Sequence, residues 1–207
     1  MASKPLNPVA AALQRASEDL TQLGRPWALV GGLAVSVRAE PRMTRDVDIT
    51  VSVPTDAEAE ALIFDLQARG YRVATLLEQK AVARLATVRL HAPLSTPVII
   101  DLLFASSGIE HEVTQHAEPI EVLPGVVIPV ATSSDLIALK VLARDDRRRP
   151  QDWDDIRALL EGARQEEIQK VDEALKLIEQ RGFHRGRSLL SSFEEILREL
   201  ESGRAAT

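Results

Sequence analysis

The spacing of apolar residues changes repeatedly between a helical and a strand pattern over the first 130 residues. A helical spacing predicts a helix over residues 7–23, and a capping box at residues 55–58 predicts a second helix that ends near Arg69. Because helices and strands interleave along the chain, the pattern favours an α/β fold. Strand patterns occur at Tyr71–Thr75, Arg84–His91, Val98–Phe104, Ile120–Leu123 and Val126–Val130.

From Ser133 onward only helical patterns remain. Ser133 or Ser134 is expected to cap a helix over 135–143, and Pro150 is suited to the first turn of the next one. We therefore predict two regions, a core of residues 1–130 and a C-terminal helical region of residues 131–207. The helices predicted in the second region lie at 135–143, 151–160, 165–180 and 188–200.

A glycine pair lies between a predicted strand and a predicted helix. The apolar run Trp27–Val30 leads into Gly31 and Gly32, and the residues that follow are compatible with a short helix. Glycine permits positive φ and a close approach of backbone N–H groups to a ligand, and a helix start carries partial positive charge. Phosphate could bind there, although such a pair is more often simple turn chemistry.

Three aspartates interrupt predicted strands. Asp46 and Asp48 alternate with apolar residues and therefore point to the same face of one strand, where their charges repel unless a cation such as Mg²⁺ neutralises them. Asp101 lies inside the apolar run Pro97–Ala105, so its carboxylate should be hydrogen-bonded, ion-paired, protonated or bound to metal. The alternatives are a solvated edge strand for the pair and a water-facing side for Asp101. Together the three favour a two-ion phosphoryl-transfer site.

The chain combines a strand that ends in two glycines, a helix, a DxD strand and a later lone aspartate. This order of features resembles the polymerase-β-like nucleotidyltransferase superfamily. More narrowly, the sequence is similar to the AbiEii/AbiGii toxin family, whose later helix carries a lysine as Ser133–Ala143 carries Lys140. Two positions depart from the pattern: many superfamily members have serine where Gly32 stands, and the family's Lys-Asp pair is Gln151-Asp152 here. The narrower string GGxAxxxRxxxRxTxDxD is filled by Gly31, Gly32, Ala34, Arg38, Arg42, Thr44, Asp46 and Asp48.

The resemblance implies a mixed-sheet core flanked by helices and a Mg²⁺-dependent enzyme that moves a nucleoside monophosphate from an NTP to an acceptor. It further implies the toxin of a toxin–antitoxin pair, with tRNA as acceptor and a cognate antitoxin as partner. There are two alternatives. The protein could modify a small molecule such as an aminoglycoside, or it could be a catalytically silent nucleotide-binding or interaction module. The implied catalytic and metal-binding residues are Asp46, Asp48 and Asp101, and the implied nucleotide-binding residues are Gly31, Gly32, Arg42, Thr44, Lys140 and Asp152.

Composition and charge restrict the partners. A net charge of −6 argues against a global attraction to nucleic acid, so an RNA would need a local basic patch. No stretch is long and apolar enough to span a bilayer, and the absence of cysteine suits a reducing compartment, so we expect a cytoplasmic protein. The HExxH, P-loop and GxSxG signatures are missing. Two basic clusters stand out: Arg144, Arg147, Arg148 and Arg149, and Arg181, His184, Arg185 and Arg187.

Overall fold

The structure, a computed structural model, describes residues 7–80, 82–145 and 150–205. Within these ranges the chain forms seven strands and eight helices. The strands are β1 (Trp27–Val30), β2 (Asp46–Val51), β3 (Arg72–Gln79), β4 (Arg84–His91), β5 (Ile99–Leu103), β6 (Glu118–Leu123) and β7 (Val126–Val130). The helices are α1 (Pro8–Gln22), α2 (Gly31–Arg38), α3 (Asp56–Ala68), α4 (Glu110–His116), α5 (Ser133–Ala143), α6 (Gln151–Leu160), α7 (Gln165–Gln180) and α8 (Leu189–Ala205).

The strands form one mixed sheet in the order β3-β4-β5-β2-β1-β7-β6. The central strand β2 pairs antiparallel with β1 and parallel with β5, and β1 pairs parallel with β7. The predicted mixed α/β sheet is therefore confirmed. The register of β2 with β5 sets Asp48 directly beside Asp101.

The central strands are buried because helices cover the sheet. Val47, Ile49 and Val51 of β2 are fully buried, as are Ile100 and Leu102 of β5 apart from about a hundredth of their surface. Such apolar strands are stable only between covering layers. Helices α1, α2 and α4 pack on β2 and supply that cover.

Helix α5 is the centre of the C-terminal helices. It packs against α6, α7, α8 and also α2, and its residues Leu136, Ile137, Val141 and Leu142 are buried. The same hydrophobic cluster extends from α1 through the sheet to α8. Because α5 is buried on several sides, its apolar residues are not confined to one face of the helix.

Several local predictions need correction. The N-cap of α5 is Thr132, whose hydroxyl accepts a hydrogen bond from the Asp135 N–H (3.2 Å), and not Ser133 or Ser134. No separate turn follows β1, since α2 begins at Gly31. Strand β3 extends to Gln79, beyond the predicted Thr75, because it pairs along all of β4.

Helix α4 was missed altogether by the sequence pattern. It begins at Glu110, whose buried carboxylate accepts hydrogen bonds from the backbone N–H groups of Ser106, Ser107 and Gly108. These contacts fold the loop before the helix back onto its first residue. The helix spans only seven residues, too few to show a clear apolar periodicity.

None of the helices in the described ranges has the length and apolar character that a bilayer crossing requires.

Candidate active site

Three carboxylates meet at the centre of the sheet. Asp46 and Asp48 lie on β2, Asp101 lies on the neighbouring β5, and each offers an oxygen within 4.8 Å of the others. Asp101 is buried, whereas Asp46 and Asp48 are partly accessible. Hard oxygen donors at this spacing suit a divalent ion such as Mg²⁺. The residues present therefore fit the metal that the sequence predicts.

The glycine pair makes room for the side chains around these carboxylates. Gly31 has φ of +66°, and a Cβ built there would lie 2.0 Å from Asp48 Oδ2. A Cβ on Gly32 would lie 2.5 Å from the Arg42 guanidinium and 2.6 Å from Thr44 Cγ2. A side chain at either position would displace a predicted site residue, so glycine has a stronger reason here than ordinary turn chemistry.

Arg89 is a site residue that the sequence analysis missed. Its Nε donates to Asp101 Oδ1 (2.8 Å) and a terminal nitrogen donates to Oδ2 (2.6 Å). The hydrogen bonds and the charge of Asp101 raise the pKa of Arg89, and Asp46 and Asp48 act in the same direction. Asp101 is thus ion-paired, one of the states expected for a buried carboxylate. The pairing depends on the register of β4 with β5, and no motif indicates it.

Lys140 is buried and paired with two aspartates. Its Nζ lies 2.8 Å from Asp152 Oδ1 and 2.7 Å from Asp155 Oδ2, and the residue is 5% exposed. Asp152 and Asp155 therefore hold the Lys140 ammonium in place inside the protein. Lys140 lines the active-site cavity, whereas Asp152 is fully buried and does not line it.

Arg42 joins the loop after α2 to α6. Its Nε and a terminal nitrogen donate to the two oxygens of Asp155 at 2.7 and 2.8 Å. Asp155 therefore contacts Arg42 and Lys140 at once. Nearby, the buried Thr44 hydroxyl has no hydrogen-bond partner among the described residues. An unpaired buried hydroxyl is unfavourable, and a bound ligand could satisfy it.

A cavity of about 800 Å³ is lined by eight of the nine predicted site residues, all except Asp152. Its wall includes parts of α5 and α6, the aspartates of β2 and β5, and residues of β3 and β4. A cavity of this size accommodates a nucleotide. The predicted site residues that line it are Gly31, Gly32, Arg42, Thr44, Asp46, Asp48, Asp101 and Lys140.

The two predicted basic clusters differ in what their side chains contact. Arg147, Arg148 and Arg149 lie outside the described residues, while Arg144 lies over the Trp153 ring at 5.0 Å. In the second cluster Arg181 pairs with Glu112 (2.6 Å) and Arg187 donates to backbone carbonyls, so both stabilise the fold. Of that cluster, Arg185 lines the active-site cavity.

A family model described as "Nucleotidyl transferase AbiEii toxin, Type IV TA system" matches residues 12–206. The chain belongs to this family. The resemblance stated from the sequence is therefore confirmed, and the protein is a nucleotidyltransferase. The family describes toxins of a toxin–antitoxin system, which places an antitoxin and an NTP among its partners. A search of curated protein sequences finds no significant match.

Solved structures show the same fold. The antigenic nucleotidyltransferase-like protein from Paracoccidioides brasiliensis is 17% identical over 90% of this chain and 94% of its own, with a TM-score of 0.54. ANT(2'')-Ia in complex with adenylyl-2''-tobramycin is 14% identical over 83% of this chain and 98% of its own, with a TM-score of 0.56. At these identities the likeness shows a nucleotidyltransferase fold, which agrees with the mixed sheet.

Proposed function

We propose that this protein is a Mg²⁺-dependent nucleotidyltransferase toxin that moves a nucleoside monophosphate from an NTP to a hydroxyl of tRNA. The observation that carries the proposal is the meeting of Asp46, Asp48 and Asp101 within 4.8 Å, on a cavity that the glycine pair also lines. Three carboxylates beside a helix start combine a cation site with a phosphate site.

The residues divide the work between the metal and the nucleotide. Asp46, Asp48 and Asp101 would hold Mg²⁺, which when bound neutralises phosphate charge and orients the reacting oxygens. The backbone N–H groups at Gly31 and Gly32 would cradle phosphate, and the Thr44 hydroxyl would donate a hydrogen bond to the nucleotide. Lys140, oriented by Asp152 and Asp155, and Arg42 would offset charge on the triphosphate. In this way the C-terminal helical region, residues 131–207, completes the nucleotide site of the core, residues 1–130.

The transfer itself forms one bond and breaks one. The acceptor oxygen attacks the α-phosphorus of the NTP, the bond from that phosphorus to the bridging oxygen breaks, and pyrophosphate leaves. Asp101 receives the acceptor proton, directly or through water, while Arg89 keeps the carboxylate in position with two hydrogen bonds. The acceptor would thus approach from the β4 side, where Arg89 and Thr87 line the cavity.

The choice of tRNA rests on membership in a toxin family and on the basic side chains near the cavity, among them Arg89 and Arg185. An enzyme acting on tRNA would work in the cytoplasm and be restrained by a cognate antitoxin. A second candidate acceptor is a small molecule, since the ANT(2'')-Ia structure that shares this fold holds adenylyl-2''-tobramycin.

A transfer assay distinguishes these possibilities. The protein is incubated with Mg²⁺ and each α-labelled NTP, together with total RNA, purified tRNA or aminoglycosides. We expect label to appear in tRNA with one or two of the NTPs, and to be lost on addition of EDTA. Label in an aminoglycoside and not in RNA would favour the second candidate. If the wild-type protein labels neither RNA nor an aminoglycoside, both candidate acceptors are wrong.

Asp48→Asn supplies the matched test of catalysis. It keeps size and hydrogen bonding but removes a charge beside Asp46 and Asp101, so thermal stability should stay equal or rise slightly. Transfer should fall about a hundredfold or more, which corresponds to about 3 kcal/mol of transition-state stabilisation. Asp65→Asn, on the exposed surface of α3, is the control and should change neither quantity. Expression of the wild-type protein should arrest growth. This arrest should disappear with Asp48→Asn and persist with Asp65→Asn.

A further inference from the structure

The contact between Arg89 and Asp101 affects how the three carboxylates can bind a cation. Arg89 donates one hydrogen bond to each Asp101 oxygen, from Nε at 2.8 Å and from a terminal nitrogen at 2.6 Å. A metal ion bound by Asp101 would therefore share its carboxylate with a guanidinium, and the two positive charges would repel each other. Asp101 should thus attract a free divalent ion less strongly than a carboxylate without this partner.

The charge of Arg89 acts on all three aspartates. Its hydrogen bonds to Asp101 and the charge of Asp101 raise the pKa of Arg89 most, and the charges of Asp46 and Asp48 raise it further. Strand register accounts for this, since Arg89 lies opposite Asp101 and Asp101 lies opposite Asp48, which sets the three side chains on one face of the sheet. Arg89 therefore offsets part of the repulsion between three carboxylates whose oxygens lie within 4.8 Å of one another.

The electrostatic role of Arg89 can be separated from its packing. The side chain of Arg89 is 48% exposed, whereas its partner Asp101 is 11% exposed. The neighbouring residues Val88 and Leu90 point to the opposite face of β4, where they are fully buried, so the strand is held in the core without Arg89. An ordinary ion pair between β4 and β5 is the alternative role, and it would contribute to stability without influencing which ligand binds.

We propose that Arg89 makes the active site select the complex of Mg²⁺ with an NTP over the free ion. The inference rests on the proposed function and adds a specificity-determining residue to it. Arg89 repels an ion that arrives alone and attracts the ion–nucleotide complex, because the triphosphate gives that complex a net negative charge. While no ligand is bound, the same guanidinium stabilises the folded site by offsetting the charge of the carboxylates.

Arg89→Gln tests this selection because it removes the charge and keeps a hydrogen-bond donor. Without nucleotide, its affinity for Mn²⁺ in place of Mg²⁺, measured by paramagnetic relaxation, should rise about tenfold or more. Its affinity for the complexes of Mn²⁺ with the α,β-methylene analogues of the four NTPs, measured by calorimetry, should stay equal or fall. A purely structural ion pair predicts that the Mn²⁺ affinity stays unchanged or falls together with stability.

Thermal unfolding gives a readout that is independent of catalysis. In EDTA, Arg89→Gln should melt at a lower temperature than the wild type, because the three carboxylates then repel each other without compensation. The same concentration of Mn²⁺ should raise the melting temperature of the variant more than that of the wild type, since the ion binds the folded variant more tightly.

Three further variants control for size and for total charge. Arg89→Met removes the charge and the donor together and should also bind free Mn²⁺ more tightly. Arg89→Lys keeps the charge and should retain the low affinity of the wild type. Arg198→Gln removes an equal charge from the exposed surface of α8, outside the cavity, and should leave the Mn²⁺ affinity unchanged.

The outcomes separate this role from the proposed function. If Arg89→Gln and Arg89→Met bind free Mn²⁺ no more tightly than the wild type, the role of Arg89 is overturned, while the transfer assay decides the proposed function. The role is also overturned if both variants gain as much affinity for the Mn²⁺–analogue complexes as for the free ion. If the wild type binds Mn²⁺ neither alone nor with any analogue, both proposals are overturned.

Discussion

At the scale of single residues, the position of Gly31 shows how closely the backbone approaches the carboxylates. Two separate costs oppose any other residue there: the positive φ of +66° and the contact of 2.0 Å between an added Cβ and Asp48 Oδ2. The first acts on the backbone alone. The second moves a predicted metal ligand, so it should affect the site as well as stability.

The prediction compares Gly31→Ala with Gly125→Ala. Gly125 has φ of +78° but nothing within 4 Å of an added Cβ, so its substitution should cost only the backbone term, about 1–2 kcal/mol. Gly31→Ala should cost more in urea denaturation and should also weaken Mn²⁺ binding, measured by paramagnetic relaxation. Equal costs at the two glycines, with unchanged Mn²⁺ affinity, would contradict the close approach to Asp48.

The pairing of Lys140 changes what its removal should do. A lysine that only reached toward nucleotide could be replaced without loss of stability, whereas this one compensates two carboxylates that are almost fully buried. Removing one partner of a buried ion pair leaves an uncompensated charge.

We expect Lys140→Met to lower the free energy of unfolding by about 3–5 kcal/mol. Lys176→Met, at an exposed position of α7, is the control and should change it by less than about 0.5 kcal/mol. Adding Asp152→Asn to Lys140→Met should recover part of the loss, because one buried charge then disappears. Urea denaturation measures all three variants, and a loss below about 1 kcal/mol for Lys140→Met would count against the buried network.

At the scale of elements, an ion pair joins the end of α7 to α4. Both terminal nitrogens of Arg181 donate to the two oxygens of Glu112, at 2.9 and 2.6 Å. The hydrogen bonds from Arg181 hold the pKa of Glu112 below its ordinary value of 4.5. Since the folded pKa is depressed, the pair stabilises the fold above that value and loses its effect as the pH falls through the folded pKa.

Glu112→Gln should therefore have a pH-dependent effect on stability. The loss relative to the wild type should be about 0.5–1 kcal/mol at pH 7, because Arg181 is partly exposed and solvent screens the pair. The difference should shrink as the pH falls below 4.5, the ordinary pKa of the group, and through the lower pKa of the folded state. Denaturation over a series of pH values from 7 downward is the measurement, with Glu60→Gln on the exposed face of α3 as control. A difference that stays constant with pH would mean that packing and not charge explains the effect.

At the scale of the whole molecule, the predicted boundary near residue 130 does not coincide with a gap in the core. Strand β7 ends at Val130 and α5 begins at Ser133, and the hydrophobic cluster is continuous across them. Arg38 of α2 reinforces the junction by donating to the carbonyls of Val130 (3.0 Å) and Ala131 (2.9 Å). We expect the two regions to unfold together.

The two tryptophans test this expectation. Trp27 lies buried in β1, and Trp153 lies partly buried in α6. Single-tryptophan variants, Trp153→Phe and Trp27→Phe, each report one region by fluorescence during urea unfolding. After correction for the stability of each variant by circular dichroism, the fluorescence midpoint should equal the circular dichroism midpoint in both. A lower midpoint for the Trp153 signal would show that the C-terminal region unfolds separately.

Much of the fold and part of the site were within reach of the sequence. Residue alternation is local, so it correctly predicted the bounds of β4 and β7 and put Asp46 and Asp48 on one face. Helix α4 escaped because it is short, and Thr132 was missed as a cap because two serines follow it. These failures are local as well: they concern one short helix and the N-cap of another.

The sequence by itself determined the alternation of helix and strand, the glycine pair, the three aspartates and the family, because each is a property of neighbouring residues. Only the tertiary structure decided that Arg89 pairs with Asp101, and that Arg42 contacts Asp155 across 113 residues of chain. It also decided that Lys140 is buried and that Arg185 lines the cavity. Such pairs depend on strand register and helix packing, which result from burial of the whole core and leave no spacing in the chain that could be read in advance.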